Sequence, residues 1–270
     1  MSRIAKRFDF LRNEGRKGFI PFVSAGDPNL EISKEIVLAL AENGADIIEL
    51  GVPFSDPMAD GPTIQASSMR ALECGVNLNE IFAMVRSVRE RTDVPIVLFS
   101  YLNPLYRYGM NRLATEAAEA GVDGVLVTDA VDEDAEEIAV LLRGRNLDLI
   151  SLIAPTTSDE RLRSICSNAS GFVYAVSRAG VTGARSETSS AAEALVQRAR
   201  SLTDLPIAVG FGISTADQIE DVWRYADAAV VGSAIVREVE ASIENGNTVE
   251  HVSRFVQALL PAIAKPSSRI

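Results

Sequence analysis

Glu49 stands where acid–base chemistry is expected. It belongs to the apolar run Asp46–Val52, in which the two-residue period of a strand places Ile47, Glu49 and Gly51 on one face. In a barrel this face points inward, near the end where active sites lie. Apolar surroundings raise the pKa of a carboxyl, and a carboxyl whose pKa is near neutrality can both donate and accept a proton. The sequence therefore predicts that Glu49 is a general acid and base.

A second carboxylate, Asp60, lies in the loop Gly51–Pro62, which contains three prolines and two glycines. Such a loop is typical of a stiff cover over a binding site. We predict that Asp60 is the second catalytic group. Both assignments have a structural alternative: Glu49 could pair with an arginine of a neighbouring loop, and Asp60 could be a turn or cap residue before the next helix. The sequence leaves both alternatives open.

Glycines follow three apolar runs in the second half of the chain, at Gly180–Gly183, Gly210–Ser214 and Gly232–Ser233. Glycine lets a ligand approach the backbone closely, and the N–H groups at a helix N-terminus bind phosphate. One such glycine is weak evidence, because tight turns need glycine anyway. Three at neighbouring strand ends predict a phosphate site.

The elements that position these residues alternate along the whole chain. Continuous apolar runs such as Ala228–Val231 are typical of parallel strands buried on both faces. Strands are predicted at 19–26, 46–52, 95–103, 124–129, 148–155, 172–178, 206–212 and 228–232. Helices are predicted over Ile4–Leu11, 30–43, 63–74, 78–91, 111–120 and 250–264. An acidic helix is predicted to follow strand four and to end at Arg143, and Ser158 is the predicted N-cap of a helix that contains 161–167.

Two repeated patterns indicate a chain built from similar units. Thr92–Ile96 recurs as Thr203–Ile207, and an aspartate opens strands at Asp46, Asp123 and Asp227. Eight βα units over 270 residues predict an α/β fold, a single-domain (β/α)8 TIM barrel with an extra N-terminal helix and an extra helix after strand two. The alternative is a doubly wound open sheet, which more often carries an early G-x-G-x-x-G turn that is missing here.

Composition excludes several classes of function. A net charge of -11 argues against nucleic acid or an anionic membrane surface as partner. Cys74 and Cys166 have no metal-binding spacing. The N-terminus lacks a signal peptide, and no apolar run reaches membrane-spanning length, so we expect a soluble, cytoplasmic protein.

The scarcity of histidine and lysine narrows the chemistry further. The only histidine, His251, is expected to face solvent in the last helix, which excludes a Ser-His-Asp triad and a His-rich metal site. None of the four lysines lies at the carboxyl end of a strand, which excludes a Schiff-base aldolase. What remains is carbon or proton chemistry on a small phosphate ester, carried out by carboxylates.

These motifs resemble those of one enzyme family, the tryptophan synthase alpha subunits, and the resemblance runs from about Ile4 to Val236. It implies a lyase of tryptophan biosynthesis that cleaves indole-3-glycerol phosphate to indole and glyceraldehyde 3-phosphate by a retro-aldol reaction. The segments that carry the resemblance are Phe19–Pro28, the Glu49 strand with Pro53–Pro62, Ser177–Gly183, Gly210–Ser214 and Gly232–Val236.

The resemblance also implies a role for individual residues. Glu49 would protonate the indole ring carbon and help to remove the glycerol hydroxyl proton, and Asp60 would hold the indole N–H and stabilise the charge of the indolenine. Loop closure would involve Arg178 and Thr182, with Thr182 reaching Asp60. The phosphate would be held by Gly183, Gly212, Gly232 and Ser233. The indole pocket would be lined by Phe22, Ile64, Tyr101, Leu152, Tyr174 and Phe211.

Finally, the resemblance implies an αββα complex with a beta subunit that carries pyridoxal phosphate, while this chain would need no cofactor and no metal. Asp56 and the loop Asn103–Tyr106, with Asn103 and Pro104, match the partner-facing segments. One departure is that Asp129–Asp132 reads Asp-Ala-Val-Asp where the family usually has Asp-Leu-Pro or Asp-Val-Pro. Without this proline the loop has more conformational freedom, and we expect the change to affect coupling to the partner. The alternatives are a stand-alone lyase and a weakly active subunit that mainly activates its partner.

Overall fold

Eight parallel strands form a closed barrel, in which each strand pairs with the next along the chain and β8 pairs with β1. The structure, a computed structural model, describes residues 1–130, 132–176, 185–210 and 212–260, with the backbone alone at 132, 133 and 185–189. The strands are β1 (Gly18–Ser24), β2 (Ile48–Gly51), β3 (Ile96–Ser100), β4 (Gly124–Val127), β5 (Asp148–Ile153), β6 (Val173–Val176), β7 (Ile207–Gly210) and β8 (Ala228–Val231).

Helices follow the strands and cover the outside of the barrel. The exception is the first helix, whose apolar residues Ile4, Phe8 and Leu11 pack into the barrel interior and close its amino-terminal end. The described helices are α1 (Arg3–Asn13), α2 (Leu30–Glu42), α3 (Pro62–Glu73), α4 (Leu78–Arg89), α5 (Leu102–Tyr108), α6 (Met110–Ala120), α7 (Asp132–Arg143), α8 (Asp159–Asn168), α9 (Arg185–Arg200), α10 (Ala216–Trp223), α11 (Ser233–Ser242) and α12 (Thr248–Leu259). The predicted barrel is confirmed, with α1 and α4 as the expected extra helices.

The two-residue period along β2 separates two apolar clusters. Ile47 packs inside the barrel, whereas Ile48 and Leu50 pack between the strands and the helices. Glu49 follows the alternation of Ile47 and pairs in register with Val97, which also packs inside. The predicted inward position of Glu49 is therefore confirmed.

The repeated sequence patterns anchor the amino-terminal ends of strands. Asp46, Asp123 and Asp227 each accept a hydrogen bond of 2.8–2.9 Å from the backbone of the preceding strand, at β1, β3 and β7, and each also pairs with an arginine. In both Thr-Asp-x-Pro-Ile segments, a backbone N–H donates to the threonine hydroxyl at 3.2 Å. These carboxylates thus fix strand starts at the end of the barrel opposite the glycine-rich loops.

The region after β3 differs from the prediction. The strand ends at Ser100 rather than at Asn103, and the predicted loop Asn103–Tyr106 lies inside helix α5. The backbone N–H of Leu102 donates to Asp129 Oδ1 at 2.6 Å, which caps the start of this helix. Pro104 fits there because the first turn of a helix does not need its N–H.

The region after β6 differs as well. We predicted no helix between β6 and β7 and expected the loop that contains Arg178 and Thr182 to extend to Thr188, but helix α9 begins at Arg185. Arg178, Thr182, Gly183 and Phe211 lie outside the described residues. Among the described residues, every helix is too short or too polar to cross a membrane.

Candidate active site

The Glu49 side chain lies on the inner face of β2, only 1% exposed. Its Oε1 atom is buried and has no hydrogen-bond partner among the described residues. Burial raises the pKa of Glu49 to about 8, because an ionised carboxylate loses its hydration there. Within the described part of the chain, no arginine pairs with Glu49, so the ion-pair alternative has no support there. At neutral pH this carboxyl is mostly protonated and able to act as an acid.

Aromatic side chains surround Glu49. Phe22 pairs with it in register on β1, and burial together with the charge of Glu49 raises the pKa of the Tyr174 hydroxyl. A Cβ atom at Gly210 would lie 2.1 Å from that hydroxyl oxygen, so this glycine makes room for Tyr174. The Phe22 ring also packs edge-on against Phe99, with 5.3 Å between the centroids.

The Asp60 carboxylate is held by a tyrosine and does not cap the following helix. The Tyr101 hydroxyl donates to Asp60 Oδ2 at 3.1 Å and accepts the N–H of Ala59 at 2.9 Å. The N-cap of α3 is Gly61, with no side-chain cap. The interpretation of Asp60 as a helix cap is therefore wrong, whereas its place in a turn is confirmed by the hydrogen bond of 3.1 Å from its N–H to the Pro57 carbonyl. Burial raises the pKa of Asp60, and the hydrogen bond from Tyr101 partly offsets this effect.

The predicted indole pocket is only partly assembled by the described residues. Phe22 lies beside Glu49 in register, and Leu152 and Tyr174 pack inside the barrel. Tyr101 is buried at the mouth, where it binds the Asp60 loop. Ile64 is half-buried in the first turn of α3 and belongs to neither core cluster.

Two aromatic residues near the site were missed by the sequence prediction. Phe99 could have been found, since it alternates with Val97 along β3 toward the interior. Phe54 could not have been found, because the path of the loop, which the sequence does not reveal, brings its ring to 5.3 Å from that of Tyr101.

The phosphate site is supported at one of the two described glycine positions. Helix α11 begins at Ser233, directly after Gly232, and has no side-chain cap, so its first N–H groups can bind an anion. After β7, the helix begins only at Ala216 and is capped by Thr215. Gly212 has a φ of 78°, a conformation that favours glycine without any ligand. The glycine segment after β7 therefore ends at Ser214, just before this N-cap, and phosphate binding by Gly212 stays a prediction.

Exposed residues cluster on the loop after β2 and on α5, and we call Asp56, Met58, Asn103 and Tyr106 the mouth surface. Met58 is 93% exposed and Tyr106 is 72% exposed. The hydrogen bond between Tyr101, at the start of α5, and Ala59 connects the two segments. Large apolar side chains that are exposed on two connected segments are typical of an interaction site.

Groups that could bind a metal are not found in the described part of the chain, where no three His, Cys, Asp or Glu side chains are suitably arranged. His251 was expected to face solvent, but its side chain is only partly exposed and contacts Glu238. Its Nε2 atom lies 2.7 Å from Glu238 Oε2, and the side chain is half-buried.

Comparisons with known proteins agree with this geometry. A family model described as tryptophan synthase alpha chain matches residues 8–263. The tryptophan synthase alpha chain of Citrifermentans bemidjiense is 48% identical over 267 residues, which cover 99% of this chain and 100% of the relative. Tryptophan synthase subunit alpha from Legionella pneumophila has a similar structure, with a TM-score of 0.88, 32% identity, and coverage of 96% of this chain and 97% of the other.

A second solved structure, from the tryptophan synthase a2b2 complex of Pyrococcus furiosus, gives a TM-score of 0.83 at 41% identity and covers 90% of this chain and 97% of the other. The sequence and structure comparisons both indicate the same family, over nearly the full length of this chain. The chain therefore belongs to the tryptophan synthase alpha chain family.

Proposed function

We propose that the chain cleaves indole-3-glycerol phosphate to indole and glyceraldehyde 3-phosphate, as the alpha subunit of tryptophan synthase. Membership of the family makes it a lyase of tryptophan biosynthesis. The observation that carries the specific reaction is the buried Glu49 carboxyl, whose pKa of about 8 lets it give and then regain a proton near neutral pH.

The proposed reaction needs one proton donor and one proton acceptor in sequence. Glu49 gives its proton to the indole ring carbon that carries the glycerol chain, and positive charge develops on the ring nitrogen. The bond between that carbon and the glycerol then breaks, and its electrons return to the ring. The Glu49 carboxylate takes the glycerol hydroxyl proton as the aldehyde forms. One proton is given and one regained, with no water consumed and no net oxidation.

Asp60 is proposed to stabilise the charged intermediate. The Tyr101 hydroxyl occupies Oδ2, which leaves Oδ1 for the ring N–H. A carboxylate beside a developing positive charge lowers the barrier because the charge is absent in the substrate. At the other end of the substrate, the N-terminus of α11 at Gly232 and Ser233 is proposed to bind the phosphate.

A beta subunit is the proposed partner, bound at the mouth surface. The Pyrococcus furiosus relative is described as an a2b2 complex with mutual activation, and on the mouth surface Asp56, Met58 and Tyr106 are all exposed. We propose that this chain uses no cofactor, because Glu49 and Asp60 would supply the proton transfers and the charge stabilisation that the proposed reaction needs. Pyridoxal phosphate would belong to the beta subunit.

The test is to incubate the chain with indole-3-glycerol phosphate, alone and with a beta subunit, and to measure both products. We expect indole and glyceraldehyde 3-phosphate in equal amounts, with a faster rate in the complex. If neither product forms, with or without the beta subunit, the proposal is refuted. A rate already maximal without partner would indicate a stand-alone lyase, and activation of the beta subunit without indole release would indicate a mainly activating subunit.

A further inference from the structure

Arg70, on α3, binds two other elements through one guanidinium group. Its Nε and Nη2 atoms donate to the two carboxylate oxygens of Asp27 at 2.7 and 2.9 Å, and its Nη1 donates to Glu240 Oε1 at 3.0 Å. Asp27 follows β1 and is 4% exposed, and Glu240 lies on α11. The planar guanidinium therefore fixes the loop after β1, helix α3 and helix α11 relative to one another.

The two helices that Arg70 joins begin at opposite ends of the proposed substrate site. Helix α3 begins directly after Asp60 and Gly61, and Gln65 in its first turn donates to the Asp60 carbonyl at 2.9 Å. Helix α11 begins at Ser233, where the phosphate is proposed to bind. A shift of either helix along its axis would change the distance between Asp60 and the phosphate site.

That distance matters because the proposed substrate is a single molecule with two recognised ends. An indole ring and a phosphate joined by a short chain have a limited span, so both ends bind together only if the two subsites are correctly spaced. A misplacement of about 1 Å can reduce a rate on the order of 100-fold. Two unlinked molecules would not sense the spacing, because each would bind its own subsite independently.

We propose that Arg70 is a positioning residue, which sets the spacing between Asp60 and the phosphate-binding end of α11; this rests on the proposed function. Arg70 touches neither the substrate nor a reacting atom in this role. A lysine at this position would keep the charge but not the fork that contacts Asp27 and Glu240 together. A second tie between α3 and β1, the buried hydrogen bond of 2.6 Å between Ser24 and Ser67, keeps α3 attached without Arg70.

The test measures binding of three probes, namely indole, glycerol 3-phosphate and the unreactive linked compound 3-(indol-3-yl)propyl phosphate. The variants are Arg70→Lys and Glu240→Ala, of which the second removes only the contact with α11 at a half-exposed side chain. Arg89→Lys is the matched control. Arg89 also pairs with a buried aspartate, Asp123, at 2.6 Å, but at the opposite end of the barrel.

For Arg70→Lys we expect the Kd of the linked compound to rise about tenfold, while the Kd of indole and of glycerol 3-phosphate changes less than about twofold. Glu240→Ala should show a smaller loss of the same kind, about threefold. Steady-state assays should show a raised KM for the linked substrate as well as a lower kcat. Arg89→Lys should leave all three Kd values within about twofold, even where it lowers the Tm.

Equal weakening of all three probes by Arg70→Lys, an unchanged Kd for the linked compound, or the same pattern in Arg89→Lys would overturn the positioning role. The wild-type chain separates this outcome from failure of the proposed function. If wild type binds the linked compound no more tightly than the fragments, the proposed substrate site is wrong and the inference falls with it.

Discussion

Replacing Glu49 by glutamine should stabilise the folded chain, and the gain should grow as the pH rises. Burial raises the Glu49 pKa from 4.5 to about 8 in the folded state. Below pH 4.5 the carboxyl is neutral in both states. Between the two values the unfolded chain ionises while the folded chain stays protonated, so stability falls with pH, and above pH 8 the loss is complete. An amide at this position does not titrate.

The expected size follows from these two pKa values. Each pH unit between them corresponds to about 1.4 kcal/mol in the free energy of unfolding, so the difference between Glu49→Gln and wild type should increase by about 4 kcal/mol from pH 5 to pH 8.5. Relaxation of the folded chain around the charge would reduce this, and about 2 kcal/mol would still fit the reasoning.

Urea unfolding of both proteins at a series of pH values measures this difference directly. Other titrating groups are shared by the two proteins and cancel. Glu73→Gln, an exposed substitution on α3, controls for the loss of one negative charge and should stay within about 0.5 kcal/mol of wild type. A change below about 1 kcal/mol for Glu49→Gln would show that Glu49 is not held neutral by burial.

Three further predictions concern the mouth of the barrel. Tyr101→Phe should lower kcat about tenfold with little change in KM, because it frees Asp60, whereas Tyr106→Phe on the mouth surface should not alter catalysis by the isolated chain; equal effects would exclude the Tyr101 contact. Gly232→Ala should weaken glycerol 3-phosphate binding about tenfold and leave indole binding unchanged, since the chain itself has room for the methyl group; calorimetry showing equal losses would remove this glycine from the phosphate site. A beta subunit should accelerate indole formation at least about tenfold, and Thr182→Val should reduce that acceleration without changing the affinity between subunits; equal stimulation of both proteins in single-turnover assays would exclude Thr182 as the coupling residue.

The fold could be predicted because its signals are local and repeated. Continuous apolar strands, the aspartates before them and the two-residue period around Glu49 each follow from short segments of sequence. Helix α5 could not be predicted this way, because the residue that caps it, Asp129, lies after the next strand and so leaves no pattern in the sequence near the helix. Helix α9 had a readable signal in the spacing of Ala192, Leu195, Val196 and Ala199, which are all buried. Its Ser- and Thr-rich start hid that signal.

Some features of the candidate site could be predicted from the sequence and others could not. The position and environment of Glu49 followed from strand period and barrel geometry alone. The contact of Asp60 with Tyr101 did not, because it joins a loop to the end of the next strand and depends on the path of the chain between them. For the same reason, the contacts of Arg70 with Asp27 and Glu240 have no signature in the sequence.

The most direct test of the account is the rate of indole release from indole-3-glycerol phosphate by wild type and Glu49→Gln in single-turnover conditions, each with saturating beta subunit. An amide keeps the shape of the side chain but cannot transfer a proton, so the rate should fall about 10²- to 10⁴-fold. Substrate binding should stay within about threefold, because Glu49 is proposed to act on the reacting carbon rather than to hold the substrate. Glu73→Gln should match wild type. A Glu49→Gln variant that keeps more than about a tenth of the wild-type rate would contradict the role of Glu49 as the acid and base of this reaction.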